Sequence, residues 1–134
     1  MRKTALVIGA MLAALSTTAF AGGKRHITLH IVNQTAHDFT NGNAEHKQVH
    51  VDSVQTTVKK GQTGLVKFHF DEDTFSDVMM NVTYLVTADN GAQVEVKYHV
   101  DKSGSDCKIV APPDLDGDYN DCDDIDVHYD FENR

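Results

Sequence analysis

Apolar and polar residues alternate along most of this chain with a period of two, not the 3.6 of a helix. In residues 26–32, Ile27, Leu29 and Ile31 fall on one face and His26, Thr28 and His30 on the other, as in a half-buried strand. Residues 47–58 have similar strand chemistry, with Val49 and Val51 opposite His50. A turn signal at Gly61-Gln-Thr-Gly64 precedes residues 65–70, where Val66, Phe68 and Phe70 alternate with Lys67 and His69. Residues 107–111 make a short strand that Pro112-Pro113 must end, because proline cannot donate to a ladder. The last strand, 125–131, points Ile125, Val127, Tyr129 and Phe131 inward and Asp126, His128 and Asp130 outward.

The strongest pairing signal lies in residues 78–101, where two alternating runs meet at Asp89-Asn90-Gly91. A two-residue Asn90-Gly91 turn mixes the faces, setting Val86 against Glu95. A three-residue loop with Gly91 left-handed in a bulge pairs Val86 with Val94, Tyr84 with Val96 and Val82 with Tyr98, all apolar. About seven short strands and no convincing helix predict an all-β antiparallel β-sandwich of immunoglobulin-like size, with a small barrel as the alternative.

The first residues change where this sandwich begins. Basic Arg2 and Lys3, an apolar run over 5–15 and the small-residue pattern Ala19-Phe20-Ala21 read as a secretory signal peptide over 1–21. That run is too short for a stable membrane span, and no second one follows. The remaining residues, 22–134, suffice for one core, so a single exported domain, periplasmic or secreted, is expected. Removing the signal takes the formal charge from −8 to −10, with 10 basic against 20 acidic side chains. Such a chain repels nucleic acid and anionic lipid and favours cations or basic partners. Its two cysteines, Cys107 and Cys122, are the only ones present, and in an exported chain they read as a disulfide.

Those cysteines bracket Asp114-Leu-Asp-Gly-Asp-Tyr-Asn-Asp121, and Asp123-Asp124 follow. Nine acidic side chains lie between Asp114 and Glu132. A bound cation would relieve their crowding; without one, the loop is a solvated acidic segment that keeps the chain soluble. Asp114, Asp116, Asp118 and Asn120 alternate as oxygen ligands for Ca²⁺ do, with Asp121, Asp123 and Asp124 in reserve. Locally the stretch resembles the aspartate-rich calcium loops of dockerins, EF-hands and thrombospondin type 3 repeats. That resemblance implies calcium binding and covers about a tenth of the chain. Tyr119 stands where an EF-hand needs glycine and Ile125 where it needs a bidentate glutamate, so a true EF-hand is excluded.

All eight histidines lie beyond residue 21, and His26, His30, His50, His69, His99 and His128 all fall on polar faces. His26 and His30 on one strand are roughly 13 Å apart and cannot share an ion. A Zn²⁺ or Cu²⁺ site therefore needs histidines from neighbouring strands, which alternation does not identify. Cleavage after Gly23 would instead place Lys24-Arg25-His26 at the terminus as a square-planar Cu²⁺ site.

No Gly-x-Ser-x-Gly elbow, His-Glu-x-x-His helix or Gly-rich phosphate loop occurs, and acidic pairs in so acidic a chain carry little weight for catalysis. A non-enzymatic binding module is expected. Its partner would be Ca²⁺, a basic protein or a cell-surface ligand. In size and cysteine economy the chain resembles exported lysozyme inhibitors, which implies a basic hydrolase as target. Residues 27–35 with Lys60-Gly-Gln-Thr-Gly64 look like the start of aegerolysin and actinoporin sandwiches, although the aromatic membrane-facing cluster of those families has no counterpart in a chain without tryptophan. A pilus or coat subunit is the third class. The C-terminal position of the cysteines differs from the N-terminal bridge of chaperone-assembled pilins.

Overall fold

Strict alternation over three long runs drives two sheets together face to face. The computed structural model describes residues 23–87 and 90–134; the signal peptide expected over 1–21 lies outside the described residues. Nine strands form among the described residues: β1 (Lys24–Gln34), β2 (Phe39–Lys47), β3 (His50–Val54), β4 (Thr63–Asp71), β5 (Asp77–Val86), β6 (Gln93–Asp101), β7 (Gly104–Val110), β8 (Leu115–Asn120) and β9 (Asp126–Asn133). One sheet has the order β3-β4-β1-β9-β8 and the other β2-β5-β6-β7. Every pairing is antiparallel except that of β1 with β9, which is parallel. The expected sandwich is therefore present, and no described helix is long and apolar enough to cross a membrane.

The core is the set of inward positions. Ile27, Leu29 and Ile31 of β1, Phe68 and Phe70 of β4, and Tyr129 and Phe131 of β9 meet Val82 and Tyr84 of β5 and Val96 and Tyr98 of β6, all almost wholly buried. Each such side chain contributes about 1.5–3 kcal/mol when removed from water. Burial pushes the phenols of Tyr84, Tyr98 and Tyr129 above the ordinary tyrosine range. Two of those hydroxyls still find acceptors: Tyr84 donates to the Gln55 carbonyl and Tyr129 to that of Lys97, each at 2.7 Å. Buried Asn33 is satisfied too, donating to the carbonyls of His37 (2.8 Å) and Val58 (2.9 Å) and accepting from the Thr35 hydroxyl (2.7 Å). It ties β1 to the segment that crosses between the sheets.

Two strands were not foreseen, and both lie at sheet edges. β2 and β8 read Phe-Thr-Asn-Gly-Asn-Ala-Glu-His-Lys and Leu-Asp-Gly-Asp-Tyr-Asn, with one fully apolar inward residue each, Phe39 and Leu115. An edge strand pairs on one side only and needs little apolar surface. The predicted strand over 47–58 is also divided, because Lys47 ends β2 and Gln48 turns with φ 58° before β3 begins.

The β5–β6 hairpin keeps the predicted faces but shifts by two residues. Tyr84 pairs with Val94, Val82 with Val96 and Met80 with Tyr98. The Val86 amide still donates to the Ala92 carbonyl at 2.9 Å, while on the opposite side of β5 the Thr87 amide and hydroxyl both donate to the Asp38 carbonyl, at 3.0 and 2.9 Å, extending the pairing with β2. Asn90 and Gly91 are both left-handed, with φ 49° and 81°. A shift of two preserves which side of the strand each residue faces.

Cys107 of β7 and Cys122 of the β8–β9 turn are joined, with their Cα atoms 6.0 Å apart. The link crosses from one sheet to the other and anchors the acidic turn to the core.

Candidate functional site

The outer face of the five-stranded sheet collects five of the eight histidines into two cross-strand rows. Register builds the first: His26 of β1 pairs with His69 of β4, and His69 pairs on its other side with His50 of β3. Residues directly opposite on paired strands have Cβ atoms about 4.5–5.5 Å apart, which brings imidazoles into contact. Ring centroids are 5.0 Å apart between His26 and His69 and 5.1 Å between His50 and His69.

A bulge completes the group. Between Val51 and Ser53 the β3–β4 register shifts, so Asp52 is an extra residue that turns onto His69. Both Asp52 carboxylate oxygens lie 3.0 Å from His69 Nδ1. One donor atom each from His26, Asp52 and His69 lies within 4.8 Å of the others, and this trio alone among the described residues meets that geometry. Nitrogen and carboxylate donors in this mixture suit Zn²⁺ or Cu²⁺, whereas Ca²⁺ needs six to eight oxygens. The His69 side chain is 20 % exposed and Asp52 42 %, so an ion can reach the group from solvent. A cleft of about 420 Å³ lined by Lys24, Gln48, His50, Asp71 and Phe75 adjoins the same row.

The second row lies four residues further along β1. His30 stands opposite His128 of β9, their rings stacked 4.6 Å apart. His30 Nε2 lies 2.9 Å from Asp126 Oδ1. His128 Nδ1 is enclosed and makes no hydrogen bond, and Asp121 Oδ2 lies 3.7 Å from it.

The acidic stretch takes a different form from the wrapped loop expected from its spacing. Asp116, Asp118 and Asn120 share the outer face of extended β8, where alternate residues are about 6.6 Å apart, so they line a strand and do not surround one centre. Asp114 precedes the strand, and Asp121, Asp123 and Asp124 lie in the turn after it. There the Asp124 amide donates to the Asp121 carbonyl at 3.0 Å, and Asp121 is left-handed with φ 59°. The C-terminal Arg134 guanidinium holds Asp116 at 2.9 Å. Across the β8–β9 pair, Asp118 faces Asp130 and Asp116 faces Glu132, like charges that repel.

Register also bears on the terminal copper site. Lys24, Arg25 and His26 pair with Asp71, Phe70 and His69, which commits that backbone to the sheet and not to wrapping an ion. His99 belongs to the other sheet, where it and Lys47 share Asp77. Hydrogen bonds from Lys47 and then His99 hold the Asp77 carboxyl below the ordinary carboxylate range.

No local signal marks Asp52, which reads as one more polar residue in a strand; only the bulge reveals it. The fold and these side chains define a class: a disulfide-linked β-sandwich with a histidine-lined outer face. No family model matches the chain, and no curated protein is similar to it in sequence.

Proposed function

We propose that the protein is a small exported, non-enzymatic binding protein that takes up one divalent ion of the zinc–copper class at His26, Asp52 and His69. One observation carries this reading: three donors from three strands converge within 4.8 Å on an open face. His69 is the central ligand: its Nδ1 lies 3.0 Å from both Asp52 oxygens, close to the spacing of two ligands on one ion, and its ring stands beside that of His26. Solvent fills the remaining coordination positions, and His50 stands beside them.

Titration with Zn²⁺ followed by calorimetry tests the proposal. Wild-type protein should bind, His69→Ala should lose at least tenfold in affinity, and acidification to about pH 5 should release the ion, since protons compete for imidazole nitrogen. Equal affinity in wild type and His69→Ala would sink it.

The like-charge pairs Asp118–Asp130 and Asp116–Glu132 favour a second reading for the opposite end of the face, the docking of a basic protein. Such a partner would relieve the repulsion, and its binding should weaken steeply with salt.

A further inference from the structure

The geometry points to a second, separate site for the same class of ion, anchored by His128 Nδ1 and the Asp121 carboxylate at the disulfide turn. The two atoms lie 3.7 Å apart. That is too long for a hydrogen bond, which spans about 2.7–3.2 Å between nitrogen and oxygen. Two ligands each about 2.1 Å from a tetrahedral ion are about 3.4 Å apart, so a few tenths of an ångström of closure would place one ion between them. His128 Nδ1 has no other partner: it is enclosed and makes no hydrogen bond. An imidazole nitrogen that carries no proton has a lone pair to offer an ion, and a carboxylate oxygen is the second donor.

The backbone at Asp121 is fixed by its turn and by the neighbouring disulfide. The residue sits in the left-handed region at φ 59°, its carbonyl accepts from the Asp124 amide, and its neighbour Cys122 is tied to Cys107. A strained non-glycine conformation persists only where its surroundings enforce it. The stacked His30 covers one side of the His128 ring and is itself held by Asp126 Oδ1 at 2.9 Å, which keeps the ring planes parallel (16°). With two protein ligands, and an enclosed Nδ1 that an ion reaches only as the exposed Asp121 carboxylate moves aside, this site is the weaker of the two. His26 and His30 mark the two rows on one strand and the sites lie on opposite sides of it, so the ions would be more than about 13 Å apart and act as separate mononuclear centres.

Zn²⁺ alone is the probe, added to the full chain while the imidazole nitrogens are followed by NMR. The first equivalent should move His69 and His26, and the second should move His128 Nδ1. Asp121→Asn should weaken the second equivalent at least tenfold and leave the first unchanged; asparagine tolerates the left-handed conformation, so the turn survives. His69→Ala should keep the His128 response, which separates failure of the first site from failure of this one. Saturation at one equivalent with His128 unmoved, a His128 response to pH but not to Zn²⁺, or a second equivalent indifferent to Asp121→Asn would each overturn the inference.

Discussion

The two ends of one sheet face carry similar densities of chemistry and arrange them differently. At the β3–β4–β1 end, His50, His69 and His26 stand in one cross-strand row and a bulge brings Asp52 to them. At the β8–β9 end, carboxylates of one strand run along its length and meet further carboxylates across the pair. Neighbouring strands bring side chains to within about 5 Å, whereas alternate positions on one strand are held more than 6 Å apart. Convergence on an ion is therefore a property of rows across the sheet, and a dense run of ligand-type residues along one strand does not provide it.

The largest test of that contrast unties the acidic end from the opposite sheet. Replacing both Cys107 and Cys122 by serine removes the link over a 15-residue separation and should cost about 3 kcal/mol in chemical denaturation. The same variant should keep Zn²⁺ binding at His69 and lose the His128 response, because only the acidic turn depends on the bridge. Next in size is ligand linkage. Zn²⁺ at a hundred times its dissociation constant should stabilise the protein by about 2.7 kcal/mol, read as a rise in melting temperature that His69→Ala reduces to about half or less. Millimolar Ca²⁺ in the same assay should shift the melt far less. A rise as large as that from Zn²⁺ would restore calcium as the ligand of the acidic end.

A smaller effect is expected from the acidic strand itself. Asp118→Asn removes one of two like charges facing each other and should stabilise the free protein by about 0.5 kcal/mol at low salt, with the gain fading at high ionic strength. Destabilisation would mean that Asp118 is engaged in something this geometry does not contain. The smallest effect lies on the other sheet, where Asp77 has a lowered carboxyl pKa because of Lys47 and then His99. A folded-state pKa below the unfolded one adds stability that is complete above the unfolded value, near 3.8, and is lost as pH falls through the folded value. Asp77→Asn should therefore flatten the acid limb of the stability curve below about pH 4 and leave Zn²⁺ binding intact.

How much could be read from residues alone differs between strand types. β1, β4, β5, β6 and β9 bury three or more apolar residues each at period two, and all five are visible as alternation. β2 and β8 bury one each and owe their strand form to the neighbour they pair with. The β5–β6 register failed by two residues for a related reason. Apolar matching fixes which face a residue takes, and a shift of two residues leaves every face unchanged. The histidines were legible as outward-facing, and their grouping was not.

Alternation and a pair of cysteines determined an all-β, disulfide-linked fold with a polar, histidine-bearing exterior, because burial of one strand face is a local property of side-chain period, and the structure decided for the two-sheet sandwich over a barrel. Which histidines meet was decided by tertiary structure. β1 lies between β4 and β9, antiparallel to one and parallel to the other, so His26 meets His69 and His30 meets His128. Strand order and register are set by the whole core at once, and a single bulged residue, Asp52, then turns a row of imidazoles into a group of ligands.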